Sequence, residues 1–379
     1  MDVDQARLEE RLNQILLNMA KLQKIIQDNL DDLKGKGELS SEFEALAQSV
    51  MKDVDYWTDQ CTKPSQSPPV LLRRMETHQE RLLRIQTLIE EKTSCESEHV
   101  ERLYDRKKRD GRISTSSMFL WDQTPQEMAF TLKGAGIKEL EFWAETPWYW
   151  EQNCRPDLID VIKKELAGFR INVHAPIMDL NPSSYNDQVH KITINESLKS
   201  IDLAKALGAE VMTIHPGKRS AKRPIRDEER NKFQRYLEAC LDRVLDNKVL
   251  LALENLEPSV RNMCTEPKEM EILLDEYSIG MTLDISHAVP PLSLALSFVE
   301  LLADSILNVH VSTTIGPIRH LPPSDGSVDE ILIALHDAGY KGPLTLELDD
   351  NKFPMPMSKK EKIKVLKLER LHSDSIWGL

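Results

Sequence analysis

The chain has 379 residues, 40% hydrophobic and 29% charged, with 49 Lys and Arg against 62 Asp and Glu and a formal net charge of −13. This is the composition of a globular protein with room for two domains; it holds no apolar run near the roughly 20 residues that span a bilayer, and its acidic balance disfavours non-specific nucleic-acid or anionic-membrane binding. Asp2, Asp4, Glu9 and Glu10 replace the basic start of a secretory leader, and Cys61, Cys95, Cys154, Cys240 and Cys264 never fall in a CxxC spacing. The expectation is therefore a cytoplasmic protein with no membrane partner, no disulfide framework and no cysteine-based zinc site.

Residues 1–110 read as an all-helical, coiled-coil-like module. Leu8, Leu12, Ile15, Met19, Leu22, Ile26, Leu30 and Leu33 step by threes and fours, drawing one apolar stripe along a long helix that Gly35 and Gly37 should stop. A second helix is expected through Phe43, Leu46, Val50 and Val54, beginning at Ser40 or Ser41. A third runs through Met75, His78, Leu82, Ile85 and Ile89, after the PSQSPP linker at 64–69. Seams this narrow pair with other helices, so a helical hairpin or three-helix unit that makes a homo-oligomer is expected. His78 and His99 stand alone on helices, and the run 106–109 reads as a solvated joint.

Residues 111–379 change texture. Short apolar strands alternate with amphipathic helices, the pattern of a parallel α/β fold. Strands are expected at 113–118, 138–143, 170–175, 211–216, 249–256, 279–286, 306–312 and 342–348, with helices between them, for example 188–207, 226–246 and a last one at 358–371. Eight such units predict an α/β fold of the (β/α)8 TIM barrel type, preceded by the helical module; a doubly wound sheet fits the regularity less well.

In that fold the active site is built from residues at the C-terminal ends of the strands. Strands three to eight end in His174, His215, Glu254, Asp284, His310 and Glu347, with His287 and His320 just beyond. Each alone has an ordinary structural explanation, such as a hydrogen-bonding loop histidine or a salt-bridge carboxylate. Together they bring three carboxylates to one rim almost devoid of Lys and Arg, where they repel unless a cation compensates. Imidazole mixed with carboxylate suits Zn, Mn or Fe(II) better than Ca or Mg.

The motifs VHAP (173–176), LAKALGAEVMTIHPG (203–217), ENL (254–256), LDISHA (283–288), HVS (310–312), RHLPPSDGSVD (319–329) and LTLEL (344–348) resemble the xylose isomerase-like TIM-barrel superfamily. That superfamily includes sugar-phosphate isomerases and epimerases and the endonuclease IV family of apurinic-site nucleases. The resemblance covers about 113–372. For the epimerases it implies a divalent metal, Zn or Mn foremost, held by Glu254, Asp284, His310 and Glu347. Glu254 and Glu347 would move a proton through a metal-stabilised enediolate, and His287 would bind a substrate hydroxyl.

For endonuclease IV the resemblance adds a second ion on His174, His215 and Glu254. It also implies a third on His287 and His320, but the Asp two residues before the loop histidine is replaced by Ile318. One or two ions are thus expected, with His287 and His320 as substrate contacts. The Arg that epimerases carry six residues after the strand-seven histidine is replaced by Gly316, and Arg319 stands nearby as a substitute.

Residues 218–235, beginning at Lys218, contain eight Lys or Arg at the same rim. They read as a solvated face or as a phosphate-recognition segment. Trp143, Trp148, Tyr149 and Trp150 could wall the pocket or pack elsewhere. The leading expectation is an isomerase or epimerase of a small sugar or sugar phosphate. The alternative is a zinc phosphodiesterase acting at abasic sites in DNA, and only there is nucleic acid a partner. The third is a non-catalytic scaffold.

Overall fold

A computed structural model describes residues 3–36, 51, 79, 82, 113–244, 248–325, 328–353 and 356–377. The chain divides into two compact units, Met1–Asp105 and Arg106–Leu379. In the first, helix α1 (Val3–Lys36) buries the stripe from Leu12 to Leu33 and runs through Gly35 to its end. Met51 and Leu82 are helical and buried, and the Gln23 amide donates to the Met51 carbonyl at 3.1 Å. The rest of the expected second and third helices lies outside the described residues, as do His78, His99, Cys61, Cys95 and the run 106–109.

The second unit is a closed parallel barrel. Its strands are β1 (Ile113–Ser116), β2 (Glu139–Trp143), β3 (Arg170–His174), β4 (Val211–Ile214), β5 (Leu250–Glu254), β6 (Gly280–Asp284), β7 (Ile306–Val311) and β10 (Leu344–Leu346). They follow one another around the barrel in chain order, and β10 closes on β1 with Ile113 opposite Leu344. All eight expected strands exist, each shorter than its sequence segment.

Eight principal helices follow the strands: α2 (Pro125–Ala135), α3 (Asp157–Glu165), α4 (Asp187–Leu207), α5 (Asp227–Val244), α6 (Pro267–Tyr277), α7 (Leu292–Leu302), α8 (Asp329–Asp337) and α9 (Lys359–Trp377). Local chemistry sets their ends. Thr124 and Glu127 form a reciprocal capping box with Pro125 at the first position of α2. The Asn186 side chain caps α4, and Gly208 ends it at φ 70°, a conformation that costs a side chain with a Cβ. No helix among the described residues is long and apolar enough to cross a membrane.

Both faces of each strand are buried, yet the sequences alternate. Leu140 and Phe142, Leu251 and Leu253, and Val309 and Val311 join the apolar core, while Glu141 and His310 within the first and last pairs are polar and Ala252 within the second is small. The barrel interior is therefore a polar layer rather than the usual aliphatic one. Thr213 donates to Glu141 Oε1 at 2.6 Å, Asn308 Nδ2 donates to the same oxygen at 3.1 Å, and Thr345 donates to Asn308 Oδ1 at 2.8 Å. Each group satisfies another, which is the condition for burying polar groups at tolerable cost.

One element was not expected. After β7 the chain makes an antiparallel hairpin, β8 (Thr313–Ile315) and β9 (Ile318–Leu321), turning at Gly316 with φ 59°.

The entry to β10 is closely packed. A Cβ at Gly342 would lie 2.6 Å from the Leu307 carbonyl and 2.3 Å from the Tyr340 hydroxyl, which itself donates to the Pro343 carbonyl. Gly342→Ala should cost roughly 1–3 kcal/mol through this overpacking, measured as a lower midpoint in urea unfolding. An unchanged midpoint would show that the turn can relax.

Candidate metal centre

The alternation that makes the interior polar also delivers the next inward residue of each strand to the C-terminal rim. His174, Glu254 and Asp284 are the last residues of β3, β5 and β6. His215 and Glu347 follow β4 and β10 by one position, and His310 is one short of the end of β7. The structure brings all six together, with His287 and His320. Among the described residues, three groups have ligand atoms within 4.8 Å of one another: Glu254–Asp284–His310–Glu347, His174–His215–Glu254 and Asp284–His287–His320.

The first group is wholly buried. His310 Nδ1 lies 3.2 Å from Glu347 Oε2, 3.6 Å from Glu254 Oε2 and 4.0 Å from Asp284 Oδ2. His310 Nδ1, Glu347 Oε2 and Asp284 Oδ2 nevertheless have no hydrogen-bond partner. Orphaned buried polar atoms are rare, and three that face one another fit lone pairs converging on a cation. Two like charges 4.8 Å apart repel by about 3 kcal/mol at an effective dielectric near 20. Three carboxylates crowded this way would offset most of a typical domain's net stability of about 5–15 kcal/mol without compensation. The donor set therefore suits a divalent cation of the imidazole-and-carboxylate class.

Titration behaviour agrees. Burial pushes Glu254 and Glu347 upward, but His215 and His310 beside the first, and His310 and His320 beside the second, hold both well below the usual carboxylate range. Burial raises Asp284 to about 6, with Glu347 adding to the rise and His287 opposing it. His310 is held well above its ordinary value because Glu141, Glu347 and Glu254 outweigh its burial. Without a metal the pocket recruits protons to balance its acids. A divalent ion would do the same with one particle.

The other two groups share members with the first. Glu254 Oε2 lies 2.9 Å from His215 Nε2 and 3.3 Å from His174 Nε2, while also facing His310. His174 Nδ1 donates to the Ala175 carbonyl at 2.7 Å, leaving Nε2 bare for the centre. Trp143 stacks on the His174 ring at 4.2 Å, and Tyr149 packs edge-on against Phe142 in the core, so these two aromatics brace the site's wall. His287 Nδ1 donates to the Asn255 carbonyl at 2.9 Å. His320, held at φ 58°, approaches Glu347 Oε2 at 3.3 Å. Asp284, His287 and His320 thus converge, although Ile318 stands where the resemblance implied an Asp beside His287 and His320.

Arg319 does not enter the clusters; its guanidinium lies 3.8 Å from Glu257. Half of the basic stretch is neutralised. Arg219 pairs with Glu229, Arg226 with Glu228 and Glu229, Arg230 with Glu269, and Lys232 with Asp187. Lys218 instead lines a cavity with His215 and His287.

Sequence reasoning missed two carboxylates. Glu141 Oε2 accepts from His310 Nε2 at 2.7 Å, which fixes the tautomer that leaves Nδ1 aimed at the centre. Its signal was available: two glutamates in KELEFW share parity with Trp143 on a strand buried on both faces. Glu145 accepts from the backbone N–H groups of Ile177 and Met178 at 3.0 and 2.8 Å, pinning the loop after β3.

Fold and rim together define a (β/α)8 barrel with a metal-competent C-terminal face. A profile described as xylose isomerase-like TIM barrel matches residues 131–368, and the chain belongs to that family. An uncharacterised protein of Methanocaldococcus jannaschii is 35% identical over 257 residues, spanning 66% of this chain and 94% of the relative. Among solved structures, a D-tagatose 3-epimerase-like protein superposes with TM-score 0.54 at 23% identity, covering 69% of this chain and 97% of that one. An L-ribulose 3-epimerase gives TM-score 0.56 at 16% identity over 71% and 95%. A D-psicose 3-epimerase studied with D-fructose gives 0.56 at 13% over 71% and 100%. At these identities the likeness is one of fold.

Metal analysis tests the geometry. Glu141→Gln should weaken metal affinity by about 10–100-fold while the barrel stays folded, as loss of a carboxylate behind a ligating histidine does. Asp284→Asn should cost more. Competitive titration against a chromophoric chelator reads both, and equal affinity in all three proteins would dismiss the centre.

Proposed function

We propose that this protein is a divalent-metal-dependent isomerase or epimerase of a sugar or sugar phosphate. The observation that carries the reading is the buried set Glu254, Asp284, His310 and Glu347 with three orphaned ligand atoms. The 3-epimerases and the 3-epimerase-like protein among similarly folded structures support it. A divalent ion there would polarise a carbonyl oxygen and the neighbouring hydroxyl, lowering the cost of negative charge on them.

The rest falls to the chain's own groups. Glu254 and Glu347 are held ionised, so each can accept a proton. They enter from β5 and β10, separated around the barrel by β6 and β7. Their carboxylates thus flank the substrate carbon from different sides, and removal by one with return by the other inverts it. His287, tethered through Nδ1, offers Nε2 to a substrate hydroxyl. His320 and Arg319, carried on the β8–β9 hairpin, contact the substrate from above, and Lys218 reaches it from the loop after β4.

A second reading, hydrolysis of a phosphodiester at abasic DNA, is favoured by the convergence of the two further groups around His174 and His287. The readings separate experimentally. The metal-loaded protein should incorporate deuterium beside the carbonyl of a ketose or ketose phosphate in heavy water, followed by proton NMR. Glu254→Gln and Glu347→Gln should each lower that exchange by about 10²–10⁴-fold. Two or three tightly held zinc ions with incision of abasic DNA and no exchange would replace the isomerase reading with the hydrolase.

A further inference from the structure

Beside the metal centre lies a cavity of about 160 Å³ walled by the loops after β3, β4 and β5, with His215 and His287 on its inner side. Its walls are tied together by backbone and amide contacts. Asn181 Nδ2 donates to the Lys218 carbonyl at 2.7 Å, while Asn181 Oδ1 accepts from the N–H groups of Lys218 and Ser183 at 3.3 and 3.0 Å. Lys218 bridges Asn262 in antiparallel fashion, Arg219 N–H donates to the Arg261 carbonyl at 2.7 Å, and Met263 N–H donates to the Gly217 carbonyl at 3.3 Å. Gly217 leaves no space in this join: a Cβ there would fall 1.6 Å from Ser183 Oγ. The backbones of residues 218 and 261 are thus held side by side, and both residues line the cavity.

Two independent features say what the cavity takes. Among the described residues, no carboxylate lies in ion-pair range of the Lys218 ammonium or the Arg261 guanidinium, whereas Arg219, Arg226, Arg230 and Lys232 all have acidic partners. The cavity's one acid, Glu257, faces Arg319. Two cations without acidic partners at a polar pocket suit an oxyanion with several acceptor oxygens. Separately, Asn262 is only 8% exposed, and its amide nitrogen donates to the Glu257 carbonyl at 3.0 Å. Its Oδ1 has no partner. An orphaned acceptor of this kind calls for a hydroxyl donor, which the dianionic phosphate group of an ester lacks.

We propose that the substrate is a phosphorylated sugar whose phosphate rests between Lys218 and Arg261 and one of whose hydroxyls donates to Asn262 Oδ1. This rests on the sugar-chemistry reading of the metal centre and settles between its free and phosphorylated substrates. A polynucleotide fits less well, because binding it relies on neutralising several successive phosphates and four of the eight basic residues in this stretch are already paired with acids.

The test is calorimetric, on the full-length metal-loaded chain. Inorganic phosphate should bind, and glycerol 1-phosphate, which adds hydroxyls, should bind more tightly. The double variant Lys218→Met with Arg261→Met should weaken both by about tenfold or more, as loss of charge-assisted contacts does, with metal content and melting temperature unchanged. Equal phosphate binding by wild type and double variant would place the anion at the metals and overturn the proposal. So would absence of binding to the wild type, or acetate binding as tightly as phosphate. Failure of the isomerase reading would look different: no deuterium exchange, with phosphate affinity still dependent on residues 218 and 261.

Discussion

The hydrogen bond between Glu141 and His310 is the contact on which the candidate site depends. It joins two layers of the barrel. Below it, Thr213 and Asn308 saturate the other oxygen of Glu141 and fasten it to β4 and β7. Above it, the imidazole is left with one bare nitrogen directed at Glu254, Asp284 and Glu347. The geometry at the rim is therefore inherited from the strand register underneath, not assembled by loops.

A polar interior has a cost in hydrophobic burial, which the barrel recovers on its outer face. Leu140, Phe142, Leu253, Leu283, Val309 and Leu346 are all fully buried between the strands and the surrounding helices. Each such side chain contributes roughly 1.5–3 kcal/mol on burial. Stability and chemistry are thus divided between the two faces of the same strands. Alternation makes that division possible, since a one-residue slip would exchange the faces.

Much of this was legible in the sequence. Eight strand segments alternating with helices placed the barrel, and the residues at the ends of those segments, with the motifs around them, singled out Glu254, Asp284, His310 and Glu347. Glu141 was less visible because the eye goes to the end of a strand, and this carboxylate lies two residues back, facing the interior. The hairpin β8–β9 escaped because TTI and IRHL are too short for a periodic signal, and their pairing is set by the Gly316 turn. The basic stretch read as one feature, whereas acids on α4, α5 and α6 divide it. Only the folded chain shows that Arg219 is committed to Glu229 while Lys218, one residue earlier, is not. In α1 the sequence expected Gly35 and Gly37 to stop the helix, and the helix runs through Gly35 and ends at Lys36.

The amide of Asn181 has a wider consequence. By gripping the main chain of Lys218 on both sides, and through it the strand-like rung to Asn262, it makes three loops behave as one piece of backbone. Such a piece resists insertion or deletion in any single loop, because the other two would lose their partners. Side chains projecting from it are under no such restriction. Divergence within this barrel is therefore channelled: a descendant that keeps Asn181, Gly217 and Asn262 inherits the cradle intact and can acquire a new taste by exchanging only the tips at positions 218 and 261.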